Sequence, residues 1–208
     1  MAEFTSKSPL AGILADGLHG AVDGEPGVTI RETSRPLLSV SPRAGARERV
    51  SEILQEHLGV TLPEPGRFAV AGDVLVLWAG LEQWMVAGAQ DGHRADLAPL
   101  AGALAPYAAV VDQDHGRAIV RLSGPHAREV LARLCAVDVH PRSFGPGRVA
   151  ATRMAHVASL LTQLDDAPTF EIHVMRSFAV SFFEELTAAA APFGFRTIAH
   201  GAEPRKSS

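Results

Sequence analysis

Cysteine, lysine, asparagine and tyrosine are scarce or absent in this 208-residue chain, and each shortage closes off a class of answers. The single cysteine, Cys135, leaves no internal disulfide to form, so a reducing compartment is expected and packing must hold the fold. Lysine occurs only at Lys7 and Lys206 and asparagine nowhere, so nearly all of the 19 basic residues are arginine. That bias reads as a property of the coding genome rather than as a functional arginine surface. A net charge of −4 and an isoelectric point near 6.1 lack the basic footprint of a nucleic-acid binder. No apolar run is long enough to span a bilayer. The opening residues carry Glu3 and no long apolar stretch, so no secretory signal is expected. The chain is read as cytoplasmic. Its 47% hydrophobic content suffices for one good core or two small ones.

The most legible stretch is Asp112 to Ala136, DQDHGRAIVRLSGPHAREVLARLCA. Arg117 to Leu122 is a β-branched and apolar run that predicts a strand. Gly124 and Pro125 then stop the strand, with Pro125 at the first position of a helix over 125–136, where its missing N–H costs nothing. Ala127, Val130, Leu131, Leu134 and Cys135 recur on one face of that helix, which predicts packing back onto the strand's sheet. Residues 37–54 hold a fainter copy of the same scheme: a strand at Leu37–Val40, then Ser41-Pro42, then a helix carrying Val50, Ile53 and Leu54. The pairing suggests two related halves.

The remaining elements fit that division. Strands are expected at Phe68–Ala71, Val74–Trp78 and Gln83–Ala87, with Gly72-Asp73 as a hairpin turn. A helix over Arg94–Leu104 and a strand at Ala108–Val111 complete the first half. The second half adds strands near 148–155, 157–163, Thr169–Met175 and Phe195–Ile198. A Ser177-capped helix there carries Phe178, Phe182 and Leu186. The resulting order predicts an α+β fold of two ferredoxin-like (split βαβ) halves, at 28–111 and 112–201, with an arm at 1–27 and a disordered tail at 202–208. In the arm, Ser8-Pro9 is expected to open a short helix whose Leu10, Ile13, Leu14 and Leu18 form an apolar stripe that must dock either on its own domain or on another chain. Residues 8–18 are expected to contribute to a partner interface and to be dispensable for folding.

A search for chemistry returns little. Asp112, Asp114 and His115 begin like a calcium loop, but the twelfth position is Ser123 rather than a bidentate Glu. Their acids are expected to bond backbone, or Arg176. His140, His156 and His173 follow no zinc-ligand spacing, and His173 reads as a surface residue on the wet face of an alternating strand. Gly145-Pro146-Gly147 is no phosphate cradle, because the proline removes an N–H the phosphate would use. Trp84 reads as a core or interface anchor. No catalytic, cofactor or metal residue is assigned.

Three blocks carry a resemblance: TLPEPGRFAVAGDVLVLWAGLEQWMV at 61–86, the 112–157 stretch with SGPHA and HPRSFGPG, and TFEIHVMRSFAVSFFEEL at 169–186. Together they resemble the gamma subunits of heterotetrameric bacterial sarcosine oxidases over most of residues 36–198. Departures fall at Leu81, Asp114 and Phe183. The resemblance singles out Trp84, Asp112, Gly124, Pro125, Arg176 and Phe178 as family-motif or interface residues, beside Leu10, Ile13 and Leu14 of the arm. It implies a fold similar to the folate-binding region of aminomethyltransferases. It also implies a non-catalytic subunit of a complex that demethylates sarcosine to glycine, with peroxide formed. The one-carbon unit then passes to tetrahydrofolate or leaves as formaldehyde. The resemblance places FAD, FMN, NAD and zinc on larger flavoprotein partners and none on this chain. The other function considered is a stand-alone folate-binding, aminomethyltransferase-like one-carbon domain.

Overall fold

Each half closes on a strand-to-helix joint, and the remaining strands fall into place around the two joints. The computed structural model describes residues 7–20, 24–90, 92 and 94–199. In chain order the strands are β1 (Gly17–His19), β2 (Val28–Thr33), β3 (Leu37–Pro42), β4 (Phe68–Ala71), β5 (Val74–Gly80), β6 (Gln83–Ala87) and β7 (Ala108–Asp112). They continue as β8 (Arg117–Ser123), β9 (Val149–Met154), β10 (Val157–Asp165), β11 (Thr169–Met175) and β12 (Phe195–Ile198). The helices are α1 (Arg47–Leu58), α2 (Ala98–Leu104), α3 (Ala127–Leu134) and α4 (Ala179–Ala190). The expected tail at 202–208 lies outside the described residues.

One sheet has the order β4-β5-β6-β3-β7. Stripped of the edge strand β4, that is the ferredoxin-like arrangement, with β3 central and β7 beside it. The other sheet runs β1-β12-β2-β8-β11-β10-β9 and repeats the scheme, with β9 as the added edge. It differs in two respects: β1 adds an edge beyond β12, and β2 is inserted between β12 and β8, parallel to the first and antiparallel to the second. The half at 28–111 therefore does not keep its first strand. Val28 and Ile30 join the core of the second half, and the boundary by sheet falls in the crossover from β2 to β3.

The same exchange corrects the arm. No helix forms at 8–18; a turn at 9–13 leads into β1, which pairs with β12. Leu10 and Leu14 are buried in the second half's core, while Ile13 is 47% exposed. Buried Glu32 holds the turn by accepting from the Ser8 hydroxyl and, at 3.2 Å, from the Leu10 N–H. An arm so anchored is part of the fold, and its removal would orphan a buried carboxylate.

The helices pack on the outer faces and the sheets on each other, giving four layers. Val50, Ile53 and Leu54 of α1 meet Val40, Val76 and Val86. Val130 and Leu131 of α3, with Phe182 and Leu186 of α4, meet Val120, Leu122 and Ile172. Between the sheets, Leu37, Leu77 and Met85 face Ile119, Val149 and Leu160. Helix ends follow local chemistry. Gly59 closes α1 in the left-handed conformation (φ 72°). Ser177 makes no side-chain cap; a short 3-10 turn over Arg176–Phe178 leads into α4 and leaves Phe178 52% exposed. Pro125 lies in a turn, and α3 begins at Ala127 rather than at the proline.

Gly124 is the residue this architecture cannot replace. Its φ is +120°, and a Cβ there would lie 2.7 Å from the Gly27 carbonyl oxygen and 2.9 Å from the Val28 Cα. Both neighbours are backbone, so nothing flexible can yield. Gly124→Ala is expected to destabilise the protein by at least about 2 kcal/mol in chemical denaturation, because it combines backbone strain with displacement of β2. A variant within experimental error of the parent would show that β2 does not dock as described.

Candidate functional site

The alternation Phe170, Glu171, Ile172, His173, Val174 predicts one buried and one wet face for β11. In the structure both faces are covered. Glu171 and His173 are each 0% exposed, because the face they share is roofed by the second sheet. His173 is therefore not a surface residue.

A buried charge must be paired, and Glu171 is. Its Oε1 accepts from Arg121 Nη2 at 2.6 Å, the residue directly opposite on β8. The same oxygen accepts from Arg35 Nη2 at 3.3 Å and Nε at 3.4 Å. Arg35 comes from the crossover, and its Nη1 also donates to the carbonyls of Gly88 (2.8 Å) and Asp73 (3.2 Å) in the other sheet's turns. His173 Nε2 lies 3.7 Å from Glu171 Oε2. Burial works against the Glu171 charge, but His173, Arg35 and Arg121 outweigh it and hold the carboxyl down at about 2. The group is a closed knot of charges with no reacting atom presented to solvent.

Beside it opens a cleft of about 330 Å³ at the meeting of the arm, the crossover, the turn before β8 and the end of β11. Its lining is mixed, with Thr33, Arg117 and Arg176 among its donors, Glu32 and Asp114 among its acids, and Pro36, Leu37 and Ile119 on its apolar side. Among the described residues that line it there is no Phe, Tyr or Trp against which a pterin ring could stack. Among the described residues no group of three or more His, Cys, Asp or Glu is placed to hold a metal.

The residues singled out from sequence scatter across the molecule. Trp84 is buried in the first half, its Nε1 donating to the Pro63 carbonyl at 3.0 Å under the Arg47 guanidinium. Asp112 accepts from the Asp114 N–H at 2.8 Å, and Asp114 accepts from the Leu37 N–H at 2.6 Å, so both acids bond backbone as expected. Arg176 donates to the Lys7 carbonyl, tying the end of β11 to the arm. Cys135 sits at the end of α3, half-buried, with its thiol pushed up by burial. Glu171, Arg35, Thr33 and Arg117 were not singled out from sequence. The available signal was charge complementarity across strands, since Arg121 and Glu171 become neighbours once β8 and β11 are registered.

The comparisons with known proteins fit this geometry. A family model described as the GCVT N-terminal domain matches residues 52–205. Sarcosine oxidase subunit gamma from Corynebacterium sp. strain U-96 is 35% identical over 159 residues, covering 74% of this chain and 76% of that protein. The chain belongs to the sarcosine oxidase gamma-subunit family. A chain of the heterotetrameric sarcosine oxidase from Corynebacterium sp. U-96, solved with pyrrole 2-carboxylate, superposes with a TM-score of 0.78. It is 31% identical, and the match covers 90% of this chain and 96% of that one. Glycine cleavage system aminomethyltransferase T from Bartonella henselae shares the fold at 15% identity and a TM-score of 0.58, with 48% of its length matched.

In this gamma-family chain the three blocks serve as joints. SGPHA holds Gly124. HPRSFGPG is the loop clamped by Arg128, which donates to the Val139 and Phe144 carbonyls and, at 3.0 Å, to Gln163 Oε1. MRSF is the turn into α4.

The charge knot makes a pH-dependent prediction. The Glu171 carboxyl falls from an ordinary 4.5 to about 2 on folding, so its contribution is present above about pH 4.5 and lost as pH drops towards 2. Glu171→Gln should destabilise the protein by about 3 kcal/mol or more at neutral pH, since it leaves two guanidiniums unmatched. Denaturation of both proteins from pH 7 to pH 2.5 should show that gap closing on acidification. A gap independent of pH would mean that Glu171 is not ionised in the folded state.

Proposed function

We propose that this chain is a non-catalytic structural subunit of a heterotetrameric sarcosine oxidase. The observation that carries the reading is the superposition on a chain of such a complex over nearly the whole length of both. The arrangement of polar groups supports it. Glu171, Arg35 and Arg121 are engaged with one another, the Asp112–Asp114 turn with backbone, and Arg128 with a loop. In the cleft the Glu32 carboxylate is occupied by the Ser8 hydroxyl and the Leu10 N–H that hold the arm.

In this reading the complex oxidises sarcosine to glycine, and oxygen is reduced to hydrogen peroxide. The one-carbon unit leaves as formaldehyde or passes to tetrahydrofolate. FAD, FMN, NAD and zinc reside on the larger flavoprotein partners. This chain contributes shape and surface. The fold leaves several large apolar side chains outside, Leu81, Val70 and Leu18 among them, and of these the partner-facing candidates are Ile13 (47% exposed) in the arm and Phe178 (52% exposed) in a family block. Leu10 and Leu14, turned inward, have no such role.

Co-expression with the neighbouring genes is the direct test. The chain should co-purify with larger subunits that show a flavin spectrum, while the chain alone is colourless and does not turn over sarcosine. Ile13→Asp and Phe178→Asp should each weaken co-purification and leave the chain's own melting temperature within a few degrees of the parent, as exposed substitutions do. Sarcosine turnover by the isolated chain would overturn the reading. Saturable tetrahydrofolate binding by the isolated chain, read by calorimetry, would favour the one-carbon domain instead.

A further inference from the structure

The cleft beside the charge knot holds groups that the fold leaves without partners. Thr33 is 4% exposed and its hydroxyl makes no hydrogen bond. The Arg117 Nε–H is buried without an acceptor, and its guanidinium joins no ion pair among the described residues. Burial pushes the Arg117 pKa down, in keeping with a cation that has lost water and gained no counter-charge. Arg176 engages the Lys7 carbonyl and lines the same space. The acids of the lining do not fill the gap. Glu32 is taken by Ser8 and Leu10, and Asp114 accepts the Leu37 N–H.

A guanidinium N–H and a hydroxyl buried without acceptors each forgo a hydrogen bond that water would supply. Two such donors lining one cavity mark a place where a ligand completes the bonding. The complementary chemistry is an oxyanion, and a guanidinium fork matches the two oxygens of a carboxylate. Glu32 and Asp114 in the same lining oppose a doubly charged phosphate more than a singly charged group. A volume of about 330 Å³ lies at the small end of ligand clefts and suits a small organic anion. We propose that this cleft binds a small monocarboxylate through the donors of Arg117, Thr33 and Arg176. The site is independent of the subunit reading, because it is complete within this chain.

The test titrates acetate into the purified full-length chain at constant ionic strength and follows melting temperature and calorimetric heat. Chloride and inorganic phosphate serve as comparators. Acetate should raise the melting temperature saturably, and Arg117→Met should weaken its binding about tenfold or more, the loss of one charge-assisted contact. Without acetate, Arg117→Met should melt no lower than the parent, since it removes a buried charge that had no partner. A purely structural Arg117 would give the opposite shift. Thr33→Val, nearly isosteric, provides a second variant and should weaken acetate severalfold. The proposal is overturned if acetate has no saturable effect, if chloride or phosphate matches it, or if Thr33→Val and Arg117→Met respond as the parent does. Should Arg117→Met not fold, an undiminished response in Thr33→Val overturns it alone.

Discussion

Glu171 carries a negative charge into a layer otherwise closed to water, and the two arginines that meet it come from different parts of the chain. Arg121 stands opposite on β8, while Arg35 arrives from the crossover and also grips two carbonyls of the other sheet. An ion pair at such a place adds little net stability over a well-packed apolar alternative. It does add direction. The apolar contacts between Leu37, Leu77 and Met85 on one side and Ile119 and Leu160 on the other tolerate sliding, whereas forked hydrogen bonds to one carboxylate oxygen do not. The knot's contribution is therefore better sought in the register of the two sheets than in the depth of the energy well.

That register also depends on how the chain begins. In the first half β7 pairs directly with β3, and the ferredoxin-like sheet closes on itself. In the second half β12 and β8 do not touch, because β2 lies between them. The inserted strand ends at Thr33, and two residues later the chain provides Arg35 to the knot. One short segment thus supplies a core strand, the cleft's Glu32 and Thr33, and the clamp between the sheets. Gly124 is what permits it, since any side chain there would strike the backbone that enters β2.

Much of this was legible in the sequence, and the failures share a cause. The strand and helix runs from Leu37 onward declare themselves by period and by Gly and Pro punctuation, and the structure keeps nearly all of them. The segment 28–33, VTIRET, was passed over because Arg31, Glu32 and Thr33 dilute its apolar run. Its polar residues serve the crossover and the arm rather than solvent. The Glu171–His173 alternation misled for a related reason. Period 2 reports that two faces differ, and a face lined with Glu, His and Arg looks wet until a second sheet is known to cover it. Charges that pair between strands distant in sequence leave no local signature. The cleft was invisible for the same reason, since its lining comes from the arm, the crossover, β8 and the residue after β11.

Buried polar atoms without partners fall in two places among the described residues: Glu171 Oε2, Arg121 Nε and both His173 nitrogens in the sealed layer, and Thr33 Oγ1 and Arg117 Nε at the cleft. A chemical site would show a titratable side chain with a neighbour tuned to it and an open path to both. Here the strongly perturbed carboxylate is the one sealed between sheets, and in the open space Glu32 is held by Ser8 and the Leu10 N–H and Asp114 by the Leu37 N–H, beside the guanidiniums and Thr33. Guanidiniums do not exchange protons near neutral pH, and a threonine hydroxyl without a base beside it is no nucleophile. The protein's outer surface, with Phe178 and Ile13 unburied, suits another chain, and its one donor-rich cleft suits an anion. Because the arm lines that cleft through Lys7 and Ser8 and also presents Ile13, a partner pressing on the arm would bear on the cleft through the Arg176–Lys7 contact. If the arm meets a partner and the cleft an anion, both events act on one short piece of backbone, and each biases the other.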